Sequence, residues 1–148
     1  MNFEIWCGRV DSMKNEKMGK IDISELNVPP EKHEYETARF FADRGLDVEF
    51  VKPSDIKGTN SPDFRMIGKM WEVKCPLGSS ERTYEDNLRK AIKQSKNVIF
   101  DLRRLKSINE LKCLKILNKY RNLVGLKNLL VIKRDGRLLT LRGKFAIL

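Results

Sequence analysis

Residues 61–75, SPDFRMIGKMWEVKC, alternate so regularly around one glycine that they commit the chain to a β-hairpin with one apolar and one charged face. Successive strand residues face opposite sides, so Phe64, Met66, Trp71, Val73 and Cys75 project one way while Asp63, Arg65, Glu72 and Lys74 project the other. A two-residue turn at Gly68-Lys69, with glycine at its first central position, makes the numbers of paired residues sum to 137. Asp63 is then expected opposite Lys74, and Arg65 opposite Glu72. Opposed residues have Cβ atoms about 5 Å apart and diagonal ones roughly 7–8 Å, so Asp63 and Glu72 can share one small ion with Lys74 beside them. A slip of one residue would bury all four charges.

The rest of the chain supplies a single domain around this hairpin. At 148 residues, 41% of them hydrophobic, it has material for one core and too little for two. Residues 1–28 form an N-terminal extension in which Glu16 to Ile23 reads as a strand. Pro29-Pro30 starts a helix from about Glu31 to Arg44, with Gly45 as its stop. Residues 46–52 alternate as a strand, and a turn-rich loop leads into the hairpin. Residues 81–96 read as a second helix and Asn97 to Leu102 as a buried strand. Ile108 to Leu123 reads as a third helix with Leu111, Leu114, Ile116, Leu117 and Tyr120 near its core stripe. Leu129 to Lys133 and Leu138 to Leu141 flank Asp135-Gly136, a hairpin turn signal. The order is αβββαβαββ, an α/β (α+β) domain with a mixed sheet: a core at 31–102, then a basic helix and C-terminal hairpin at 103–148.

No apolar run approaches the roughly 20 residues that span a bilayer, and the N-terminus lacks the basic-then-apolar order of a signal peptide, so a cytoplasmic site of action is expected. Cys7, Cys75 and Cys113 are widely spaced without a CxxC pair, which argues against a disulfide scaffold and against zinc. The charge is polarised. Residues 1–88 carry 13 Lys and Arg against 17 Asp and Glu, whereas residues 89–148 carry 17 against 3, giving nets of −4 and +14. A polyphosphate partner suits such a half, because each neutralised phosphate releases counterions. Arg89, Lys90, Lys93, Arg103 and Arg104 are the expected nucleic-acid contacts.

A polyanion partner and an acidic hairpin face together suggest phosphodiester hydrolysis. That chemistry needs an ion to hold a phosphate oxygen and lower the pKa of a water; oxygen ligands suit Mg²⁺, with Mn²⁺ as a substitute. Asp63 and Glu72 supply such ligands, with the Val73 carbonyl as a further one, and Lys74 is placed to orient the water. His33, the single histidine, cannot supply the histidine pair of a metal-free ribonuclease.

Helix, strand, Asp/Glu-x-Lys hairpin and helix–strand unit in this order resemble the PD-(D/E)xK nuclease superfamily, which implies a restriction-endonuclease-like core. HEYETARFFADRGLDVEF, SPDFRMIGKMWEVKCP and AIKQSKNVIFDL resemble more closely the tRNA-cleaving C-terminal toxin domain of contact-dependent growth inhibition (CdiA) proteins. The resemblance implies a glutamate from the first helix as a further metal ligand. Glu34 is the first choice, because it shares a stripe with Ala38, Phe41 and Gly45, and Glu36 is the second. It also implies that Gln94 touches the site or substrate, that delivery from another cell is possible, and that an acidic immunity protein is a partner. Arg65, which the register sets opposite Glu72, and His33, which adjoins Glu34, are further candidate contacts. A DNA endonuclease of restriction or repair type, and a non-catalytic nucleic-acid-binding module, are the alternative functions.

Overall fold

The computed structural model describes residues 18–54, 56, 61–106 and 109–145. Among these described residues, seven strands form one mixed sheet in sequence order: β1 (Ile21–Asp22), β2 (Val48–Phe50), β3 (Phe64–Met66), β4 (Lys69–Lys74), β5 (Asn97–Asp101), β6 (Asn128–Ile132) and β7 (Leu138–Arg142). Parallel neighbours need a crossover, and helices supply it: α1 (Lys32–Ala42) joins β1 to β2, α2 (Glu81–Gln94) joins β4 to β5, and α3 (Glu110–Lys119) joins β5 to β6. The antiparallel pairs β2–β3, β3–β4 and β6–β7 need only loops or turns. Of the expected strand at Glu16 to Ile23, only Ile21–Asp22 is strand; the part before Met18 lies outside the described residues.

Both sheet faces are covered, which is why β5 and β6 read as unbroken apolar runs. Val98, Phe100, Leu129 and Val131 pack under α2 and α3 with Tyr84, Leu88 and Leu117. Ile99, Leu130 and Ile132 face the opposite layer with Ala38, Phe40 and Phe41 of α1 and with Phe64, Met66, Trp71 and Val73 of the hairpin. The expected apolar hairpin face is therefore the floor beneath α1. In α3 the stripe is rotated from the expected one. Cys113, Ile116 and Leu117 are buried, whereas Leu111 is 65% exposed, because the helix leans on the sheet through the i, i+3, i+4 set starting at Cys113.

The hairpin turn differs from expectation by one position. Phe64 pairs with Trp71, Arg65 with Met70 and Met66 with Lys69, so paired numbers sum to 135 and the central turn residues are Ile67 and Gly68. Both have positive φ, 46° and 70°, which is the two-residue turn that matches strand twist. A β-branched residue disfavours that region, so glycine-first placement was the natural sequence reading. What offsets the strain at Ile67 is the register it permits, in which Trp71 lies across from Phe64 and its Nε1–H donates to the Met66 carbonyl at 3.0 Å. Ile67 is 45% exposed and loses little on replacement. Ile67→Asn, creating Asn-Gly, is expected to stabilise the domain by about 1 kcal/mol in urea unfolding.

Candidate active site

Four elements converge on the hairpin's charged face. Asp63 stands one residue before β3; its N–H donates to the Trp71 carbonyl at 2.9 Å, and its Oδ2 accepts the Val73 N–H at 2.8 Å. These bonds place its carboxylate beside Glu72 rather than opposite Lys74, correcting the expected pairing by the same shift that moved the turn. Glu72 is only 4% exposed, and Lys74 Nζ sits 3.4 Å from its Oε2. Strand N–H and C=O groups of one residue point the same way, so the Val73 carbonyl is directed toward the Asp63 side as well.

Glu34 enters from the first turn of α1, where a carboxylate suits the positive end of the helix dipole. Its stripe partners Ala38 and Phe41 are fully buried, which turns Glu34 inward, half-buried, against Asp63. Glu36 is exposed and lies by Arg103 rather than by Asp63. Gln94, the last residue of α2, sets its side-chain amide against both Glu72 carboxylate oxygens, and the amide orientation assigned there is the one in which its nitrogen donates to them. Arg65 pairs with Glu49 on β2, not with Glu72, because the true register places Met70 opposite it. Arg65 therefore does not compete with a cation for the Asp63 and Glu72 carboxylates.

The electrostatics follow from crowding acids in a poorly solvated place. Burial, then the charge of Asp63, pushes Glu34 up to about 7. The same two causes push Glu72 up to about 8, against the pull of Lys74. Asp63 is raised chiefly by burial, although the Val73 N–H and the Glu72 and Glu34 carboxyls all donate to it. Protons therefore hold Glu34, Asp63 and Glu72 together at neutral pH, with Lys74 as the adjacent cation. An all-oxygen donor set that keeps protons for want of positive charge fits a hard divalent cation.

His33 and Glu31 flank this cluster, 3.4 Å apart. With Glu34 they form a group whose potential ligand atoms lie within 4.8 Å of one another. Of the expected phosphate contacts, Arg89, Lys90, Lys93 and Arg104 are exposed. Arg103 is exposed too, but its guanidinium is already engaged: it contacts both carboxylate oxygens of Asp101, at 3.0 and 2.8 Å, and donates to the Glu36 carbonyl at 3.1 Å. Asp101 is 3% exposed and needs that countercharge; it also accepts from Thr37 Oγ1 at 2.7 Å. This clamp ties α1 to the end of β5, one turn beyond Glu34. Sequence reading missed Thr37 and Asp101, whose only signal was an acid closing the apolar run NVIFD.

No curated protein matched the chain. Among solved structures, a chain from a "CdiA-CT/CdiI toxin and immunity complex from Burkholderia pseudomallei" superimposes with a TM-score of 0.61 at 19% identity, covering 82% of this chain and 98% of that one. That likeness shows a shared fold. The family model described as contact-dependent growth inhibition CdiA C-terminal domain matches residues 60–138, a span that holds Asp63, Glu72, Lys74 and Gln94. The chain belongs to the contact-dependent growth inhibition CdiA C-terminal domain family.

Proposed function

We propose that this domain is a metal-dependent endonuclease of the PD-(D/E)xK type, with a restriction-endonuclease-like core, that acts as a toxin by cutting tRNA. The observation that carries the reading is the convergence of Glu34 and Glu72 on Asp63, with Lys74 beside Glu72 and Asp63, where buried carboxyls retain protons that a cation would replace. Glu34, Asp63, Glu72 and the Val73 carbonyl would hold Mg²⁺ or Mn²⁺. When bound, the ion supplies Lewis acidity at a phosphate oxygen and lowers the pKa of a nearby water.

The chain's own groups do the rest. Lys74 orients the attacking water and offsets negative charge developing on the phosphate. Gln94 holds the Glu72 carboxylate in one rotamer by donating to both its oxygens. Arg89, Lys90 and Lys93 lie on α2, the helix whose last residue is Gln94, so a phosphate backbone following that helix is led to the hairpin. Arg104, on the turn after β5, extends the track. Reversing Lys90 and Lys93 to glutamate is expected to weaken RNA binding and to flatten the plot of log affinity against log salt by about 1.5, readable by filter binding across salt concentrations.

The solved relative comes from a toxin and immunity complex. By analogy, an acidic immunity protein covers the basic face here, and the toxin is delivered from another cell to act in the recipient's cytoplasm. The test is incubation of purified protein with tRNA and with duplex DNA in Mg²⁺, Mn²⁺ or EDTA. Metal-dependent cutting of tRNA supports the reading. Cutting of duplex DNA alone would move the substrate to DNA, and binding without cutting under any metal would make the domain a binding module.

A further inference from the structure

A cleft of about 480 Å³ opens beside the carboxylates, between residues 26–31 ahead of α1 and the segments 50–54 and 61–63 around β2 and β3. Glu34 and Asp63 line it, so it is continuous with the proposed metal site. The remaining wall is largely apolar: Val28, Pro29, Pro30, Pro53 and Pro62 contribute side chains with almost no rotamer freedom to lose. Val28 is 72% exposed, an apolar side chain left on a rim where water gains nothing from it.

We infer that this cleft receives one unstacked nucleobase of the RNA, from a nucleotide adjoining the bond to be cut. The inference rests on the nuclease reading and adds a specificity site to it. The wall selects the occupant: away from the carboxylates that would hold the ion, Glu31 offsets Lys52, so a phosphate finds no net positive charge there, whereas a base is neutral and flat and packs on the apolar wall. A volume of about 480 Å³ holds one nucleotide and excludes a duplex. The substrate is therefore RNA with an exposed single-stranded base, as in a loop. Of the lining residues only Ser61, Pro62 and Asp63 fall within the segment matched to the family.

The experiment maps the cut in bacterial tRNA, then uses synthetic RNA spanning it with a single abasic residue at each flanking position in turn. For the wild-type protein in Mg²⁺, one abasic position is expected to lower kcat/KM about tenfold or more. Val28→Trp, which fills the rim without touching the carboxylates, is expected to lower kcat/KM on intact RNA to that same level and to change nothing on the abasic RNA. Its melting temperature and its Mn²⁺-induced thermal shift should match wild type. Cutting that tolerates every abasic position, or a Val28→Trp variant as active as wild type, overturns the inference while leaving the nuclease reading standing. Absence of any metal-dependent cutting overturns both.

Discussion

Asp63→Ala is expected to lower metal-dependent tRNA cleavage about 10³-fold, and Lys74→Ala by about 10²–10³-fold. The two losses should differ in kind. Asp63 stands between Glu34 and Glu72, so its removal deprives both of their shared acceptor and dismantles the proposed ion site. Lys74 is no ligand. Its variant should still show a Mn²⁺-induced rise in melting temperature that Asp63→Ala lacks. Cleavage measured under single-turnover conditions, beside thermal shift with and without Mn²⁺, separates these outcomes. Cutting that survives Asp63→Ala would sink the site assignment.

The second large effect is on stability. Glu72 has an ordinary value of 4.5 and a folded value near 8. A carboxyl raised in the folded state binds a proton there that the unfolded chain has released, so stability falls as pH rises from 4.5 to about 8. Below 4.5 the penalty is absent, and above 8 it is complete. Glu34, raised to about 7, adds to the same trend. Glu72→Gln removes the penalty while keeping the shape, and should raise the metal-free melting temperature at pH 8 by roughly 2–5 °C. At pH 4.5 the difference should vanish. Mg²⁺ should stabilise wild type more at pH 8 than at pH 6, since binding must displace fewer protons, and should do little for Glu72→Gln. A wild-type protein whose melting temperature climbs from pH 5 to pH 8 without metal would contradict the sign.

The sequence made the faces legible even where it misplaced the turn. Moving the turn from Gly68-Lys69 to Ile67-Gly68 changes the sum of paired residue numbers by two, and side-chain alternation also has a period of two. Every apolar residue thus stayed on the core side, and Asp63, Glu72 and Lys74 stayed together. What changed was the partner of each: Arg65 went to Glu49, and Asp63 came to Glu72. Glu34 was legible because a helix stripe carries its neighbours Ala38 and Phe41 into the core. The clamp of Thr37, Asp101 and Arg103 was not legible, because Thr37 and Asp101 lie 64 positions apart and meet only once α1 and β5 pack. The error at Leu111 has a local cause: several apolar residues in ELKCLKILNK allow more than one stripe, and only contact with the sheet selects Cys113.

The claim that Asp63 and Glu72 form the centre of a metal site is tested most directly by anomalous scattering from a Mn²⁺-soaked crystal. The expected result is a peak between the Asp63 and Glu72 carboxylates, within reach of Glu34 and the Val73 carbonyl. A peak confined to Glu31 and His33, or none at Mn²⁺ concentrations that support cleavage, would contradict it.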